Sequence, residues 1–167
     1  MRRGIRAGCP TRPASRSTCG EAALNGSGQG APKVRGILES ALYVENLARS
    51  AAFYDRVFDF PHLFGNDALI ALDVAGAGVL LLFRRGGSAK AQEMPGGVIP
   101  AHDGEGKLHA AFAIAADDLP VWEKRLDQLG IAVESRMSWP LGGTSVYFRD
   151  PDGHLLELVT PKVWPTY

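Results

Sequence analysis

The second half of this chain repeats the element order of the first, and that duplication limits the fold more than any other feature. Aligning Glu39 with His109 sets Val44 opposite Ile114, and Leu47 meets Leu119 once two residues are inserted in the second copy. Neither copy can cover its own apolar face, so the two must bury those faces together. In the first copy, residues 37–44 are β-type and Asn46 offers an N-cap. Leu47, Ala51, Tyr54 and Phe58 then recur at helical spacing, which predicts a helix over residues 47–58. Two apolar runs, 68–74 and 79–84, flank a Gly-Ala turn and read as a hairpin. The second copy offers a strand over 108–115 and a helix over 119–129 stopped by Gly130. A strand near 133–135 follows, then a hairpin joining 144–149 to 154–160. Asp117 and Asp118 read as capping charges for the second helix. Each half is β-α-β-β with room for one more strand, so the chain predicts an α+β fold of two tandem βαβββ modules. Module one covers about 36–85, a Gly- and Pro-rich linker about 86–106, and module two about 107–161.

Charge divides the chain differently. The sequence has 18 basic and 18 acidic side chains. Residues 1–35 hold seven of the basic groups and one acid, which leaves the remaining 132 residues at −6. A body of that sign lacks the surplus needed to hold a phosphate backbone or an anionic membrane. Residues 1–35 mix Arg with Gly, Ser, Pro and Thr without helical or strand period, and are expected to be a disordered basic extension. No apolar run approaches the length of a membrane span. Cys9 and Cys19 are the only cysteines and both fall in this extension, so neither a disulfide framework nor a thiolate metal site is expected in the body. The cytoplasm is the simplest compartment.

Three polar residues stand inside apolar strands. Glu157 lies in GHLLELV, His109 in LHAAFAI and Glu39 in ILESAL. A carboxylate buried without compensation costs several kcal/mol, so Glu157 requires a proton or a cation. Glu39 and His109 occupy equivalent points of the two repeats, and a pseudo-twofold axis would bring those first strands together. A lone strand histidine is more often a satisfied core residue; the joint occurrence of the three favours a shared metal site about as much as separate structural roles.

Residues 44–54 (VENLARSAAFY), 108–114 (LHAAFAI) and 147–157 (YFRDPDGHLLE) resemble, in that order, the vicinal oxygen chelate superfamily of glyoxalases, fosfomycin-resistance thiol transferases, extradiol dioxygenases and bleomycin-resistance proteins. The resemblance implies a curved mixed sheet around a divalent metal, in a glyoxalase-like domain over residues 36–167. It places ligands at Glu39, His109 and Glu157, with Leu81 at the fourth position, where no coordination is possible. It thus implies a three-ligand site and weakens a four-ligand glyoxalase I assignment. Two carboxylates and one imidazole suit Mn²⁺, Fe²⁺, Ni²⁺ or Zn²⁺, one ion per chain. Such a site implies Lewis-acid chemistry on a small oxygen-chelating substrate, of isomerase, lyase or thiol-transfer type, with Glu39 or Glu157 able to act as base. Members of this size pair as homodimers, often with each site built from module one of one chain and module two of the other. The resemblance also suggests that the face carrying Ser145 and Tyr147 looks into the cavity. Trp139, in a Gly-containing loop before Pro140, reads as a lid or a surface plug, and His102, on the linker, as a substrate contact or a solvated histidine. His154 and the Asp150–Gly153 turn read as structural. The competing reading is a metal-free protein that sequesters a drug or metabolite, as bleomycin-resistance proteins do.

Overall fold

The structure is a computed structural model that describes residues 31–167; the expectation for the basic extension falls largely on residues outside it. Module one runs β1 (Glu39–Val44), α1 (Leu47–Phe58), β2 (His62–Gly65), β3 (Leu69–Val74) and β4 (Gly78–Arg84). After a short hairpin, β5 (Gln92–Met94) and β6 (Gly97–Ile99), module two runs β7 (His109–Ala113), α2 (Leu119–Gln128), β8 (Ser135–Ser138), β9 (Thr144–Arg149) and β10 (Leu155–Val159). The open place in module one is thus filled by β2. In module two the strand expected near 133–135 sits later, at β8. The linker is not a plain loop, since it carries the β5–β6 hairpin.

Local chemistry explains the helix boundaries. Asn46 is extended, and its side-chain oxygen accepts the Arg49 N–H at 2.9 Å, so α1 starts where the sequence placed its cap. Asp59, at φ 57°, turns the chain out of the helix. Gly130, at φ 68°, ends the second helical segment. The capping expected of Asp117 and Asp118 is not made: both lie in a 3₁₀ turn, Ala116–Asp118, and Asp118 makes no side-chain cap bond. Pro120 in the first turn of α2 instead removes one N–H that would need a partner.

The two modules have identical topology, with strand orders β1-β4-β3-β2 and β7-β10-β9-β8 in two separate four-stranded sheets. β1 pairs parallel with β4, and β7 parallel with β10. On one face of each sheet Leu42, Val44, Leu72, Leu82, Val146, Phe148, Leu156 and Leu158 are buried with Tyr54, Val57 and Leu126 from the helices. Phe58 sits among Phe60, Phe112 and Trp122, with ring centroids 4.6–5.6 Å apart, and so binds module one to module two. Arg125 of α2 donates to the Val57 and Arg56 carbonyls at 2.7 and 2.8 Å, satisfying the end of α1.

Candidate metal centre

The site follows from strand register. Ala41 lies opposite Leu81 on β4, and Ala111 lies opposite Glu157 on β10, so Leu81 and Glu157 are equivalent positions of the two modules. Glu157 in turn faces Tyr147 on β9, and Val159 faces Ser145. Alternation along the strands puts His109, Ser145, Tyr147, Arg149 and Glu157 on the face turned away from the core. The equivalent face of module one carries Glu39, Ala41, Tyr43, Leu69, Ala71, Asp73, Leu81 and Phe83. With Leu81 standing where module two has Glu157, the paired histidine and carboxylate lie on module two.

Glu157 is 7% exposed and lies beside His109, with Oε2 3.2 Å from the imidazole Nε2. The other ring nitrogen, Nδ1, is 3.0 Å from the Leu155 carbonyl. A carbonyl only accepts, so Nδ1 carries a proton, and Nε2 is left facing a carboxylate oxygen. A nitrogen and a carboxylate oxygen at that distance are satisfied by a proton on Nε2 or by a cation bound to both. The second carboxylate oxygen, Oε1, accepts the Tyr147 O–H at 3.1 Å, which leaves Oε2 free for either. Burial pushes the Tyr147 phenol up; a hydrogen bond from Ser145 opposes this and the Glu157 charge adds to it, so Tyr147 remains a donor at neutral pH. His109 and Glu157 thus form a pair of donors of metal-ligand type, each oriented by a further hydrogen bond.

Glu39 lines one cavity of about 300 Å³ together with His109, Ala111 and Leu80, at the seam between β1 and β7. It does not converge with the pair: among the described residues no three His, Cys, Asp or Glu side chains come together as a metal site. Glu39 also shares a second recess with His102, Leu81 and Phe83. There the His102 ring lies edge-on to Phe83 and its Nδ1 is 3.1 Å from the Tyr43 hydroxyl. Ser145 is fully buried, and its hydroxyl accepts the Trp139 indole N–H at 2.8 Å. Trp139 is thereby fixed over the end of β9, and the Ser145 oxygen is already engaged.

What residue reading took as turn chemistry does more. Asp152, its side chain 1% exposed, accepts the Glu45 N–H at 2.7 Å, the Ser50 hydroxyl at 2.7 Å and Arg49 at 3.1 Å. Asp150 accepts the buried Tyr54 hydroxyl at 3.1 Å. His154 accepts the Leu108 N–H through Nδ1 and reaches the Tyr43 carbonyl through Nε2 at 3.0 Å. The turn before β10 therefore grips both α1 and β1, and holds Glu157 in register with module one. An Asp-x-Asp pattern facing a helix N-terminus was the available signal, but its partners lie some hundred residues away.

Residues 36–158 match the Glyoxalase/Bleomycin resistance protein/Dioxygenase superfamily. The chain is 36% identical over 133 residues to a metallothiol transferase, FosB, of Bacillus licheniformis, covering 79% of each. It is 26% identical over 131 residues to the fosfomycin resistance protein FosX of Listeria innocua, covering 75% of this chain and 89% of that one. Among solved structures, a lactoylglutathione lyase of Agrobacterium tumefaciens superposes with a TM-score of 0.74 at 32% identity, over 80% of this chain and 99% of that one. The duplicated topology and the match across nearly the whole body agree: this chain belongs to the glyoxalase, bleomycin resistance protein and dioxygenase superfamily.

Proposed function

We propose that this chain is a divalent-metal enzyme whose ion is held by His109 and Glu157 with Glu39 as third ligand, acting on a small oxygen-chelating substrate. The observation that carries this is the His109–Glu157 pair, a buried carboxylate 3.2 Å from an imidazole nitrogen, at the positions where the family resemblance puts two metal ligands. Relatives named as a metallothiol transferase and a lactoylglutathione lyase support metal-dependent transfer or lyase chemistry. A bound divalent ion supplies Lewis acidity for oxygens developing negative charge. The protein's part is to hold and orient. Leu155 fixes the His109 tautomer, Tyr147 fixes the Glu157 carboxylate, and the Trp139–Ser145 bond fixes the wall beside them. With an ion bound, Glu39 or Glu157 would be the carboxylate able to serve as base if it were released from the metal. Because Glu39 stands apart from the pair within one chain, the reading includes a homodimer in which module one of each chain completes the site on module two of the other.

The test is metal analysis of protein purified without chelator. Close to one ion per chain is expected, from among Mn²⁺, Fe²⁺, Ni²⁺ and Zn²⁺, and Glu157→Ala should lose it. An occupancy near zero that added metal does not raise would overturn the reading and favour a metal-free binding protein.

A further inference from the structure

We infer that the chain holds a second ligand site, separate from the His109–Glu157 pair: an apolar cavity on the helix side of the module seam that takes a flat, neutral aromatic molecule carrying a hydroxyl. The inference goes beyond the metal reading and holds with or without a bound ion.

The cavity measures about 490 Å³, inside the roughly 300–1,000 Å³ of small-molecule sites. Four aromatic rings line it. Phe58, Phe60, Phe112 and Trp122 all pack against the core, yet each remains only partly buried. Phe112 stands opposite Leu158 on the core face of β7 and β10, and α1 and α2 supply Phe58 and Trp122. The cavity therefore lies across the sheet from the face that carries His109 and Glu157. Much of the remaining lining is small: Ala75, Ala77 and Gly78 at the β3–β4 turn, and Ala111 and Ala113 on β7. The rings offer flat apolar surface, and the small residues leave room beside them for a planar body.

No lining side chain is charged, and the Trp122 indole nitrogen is the only polar side-chain atom among them. Charges stand in the adjoining recesses. The one that shares Ala111 and Phe112 holds Glu39 and His109, and the one that shares Phe58 and Trp122 holds Asp59, Asp118 and Arg125. An anion entering the cavity would lose its water and gain no ion pair from the lining. The backbone supplies what polarity there is. β7 pairs only with β10. Leu108 accepts the Leu155 N–H and Ile114 donates to the Val159 carbonyl, so the even-numbered residues of β7 bond to β10. Ala111 and Ala113 turn their N–H and C=O to the opposite edge, where a ligand hydroxyl can meet them. Water is a poor occupant beside four rings, and covering those rings is favourable. A second copy of the chain needs a contact of about 800 Å² on each partner. A concave cavity of about 490 Å³ is nearer the size of one small molecule.

The test titrates 2-naphthol, and 2-naphthoate as its anionic counterpart, at about pH 7 into the full-length protein with excess chelator present. Binding is read by calorimetry and from the tryptophan indole N–H signals in ¹⁵N-resolved spectra, assigned with Trp122→Phe, Trp139→Phe and Trp164→Phe. 2-Naphthol is expected to bind once per chain and to move the Trp122 signal most, with 2-naphthoate at least about tenfold weaker. Gly78 stands in step with buried Leu80 and Leu82, and a Cβ there would meet only the Leu38 carbonyl, at 3.5 Å. Gly78→Leu should therefore fill the cavity and weaken 2-naphthol at least about tenfold with an unchanged circular dichroism spectrum. Gly78→Ala, a smaller intrusion that reads the same effect if the leucine disturbs the strand, should weaken it about two- to threefold. No saturable binding, the largest shift at Trp139 or Trp164, equal affinity for 2-naphthoate, or undiminished binding in the folded Gly78 variants would each overturn the inference. So would binding that weakens as protein concentration rises, the mark of a second copy in the cavity. Because the chelator is present throughout, failure here leaves the metal reading untouched.

Discussion

Tyr147 is the residue on which the proposed centre can be tested most gently. Its hydroxyl donates to one oxygen of Glu157, so Tyr147→Phe removes an orienting bond and leaves the ligands in place. Groups in that position typically contribute ten- to a hundredfold to metal affinity. Tyr147→Phe is therefore expected to weaken metal binding about tenfold, measured by competition with a chromophoric chelator, with an unchanged far-ultraviolet circular dichroism spectrum. Glu157→Gln keeps the shape but removes the charge, and should lose the ion while folding normally. At this scale the sequence was informative because a carboxylate flanked by leucines has few physical excuses. It was silent about Ser145, since nothing local shows that the hydroxyl is engaged by an indole six residues earlier.

The element that does most to position the site is the turn from β9 to β10, and its acids give it a distinctive pH dependence. Burial works against the Asp152 charge, but hydrogen bonds from the Glu45 N–H, Ser50 and Arg49 outweigh it and hold the carboxyl below the usual range. A depressed folded pKa means stability present above the unfolded value and lost as the pH falls, here below about pH 4. Asp152→Asn should cost about 1.5–3 kcal/mol at pH 7 in urea melts, and should flatten the acid side of the stability profile. Asp150 behaves oppositely: burial pushes it up against the hydrogen bonds from His154, Tyr54 and Asp152, so its contribution declines as the pH rises past the ordinary carboxylate range. Tyr54 lies between α1 and this turn. Burial first, then the charge and hydrogen bond of Asp150, drive its phenol far above the ordinary tyrosine value. A raised folded pKa gives stability that is complete below about pH 10 and lost above it, where the unfolded chain ionises and the native one does not. Comparing denaturant midpoints at about pH 8 and pH 11, Tyr54→Phe should be about 1–3 kcal/mol less stable at the lower pH and should lose less on going to the higher. The helix limits were legible because capping is local. The role of the turn was not, because Asp152 and its donor partners at the start of α1 are joined only by folding.

At the scale of the whole molecule the open question is where Glu39 meets the pair it is proposed to complete. If module one of each chain completes the site of the other, Glu39→Ala and Glu157→Ala proteins should each bind no metal, yet their mixed dimer should recover one ion per two chains. A site closed within one chain predicts no recovery, so metal analysis of refolded mixtures separates the two arrangements. Duplication fixed the outline of the fold before any coordinates. Period-two runs, a helical stripe and matching turns recurred in order, and residue alternation alone placed Ser145, Tyr147 and Arg149 on one face of their strand; the register that sets Glu157 beside Tyr147 came from the fold. Those are properties of contiguous segments, and short-range sterics and burial dictate them. The sequence did not show that the strands divide into two sheets, that the linker forms a hairpin, or that the Asp150–His154 turn fastens module two to α1 and β1. Each depends on hydrogen bonds and packing between residues far apart in the chain, and only the tertiary structure supplies that proximity.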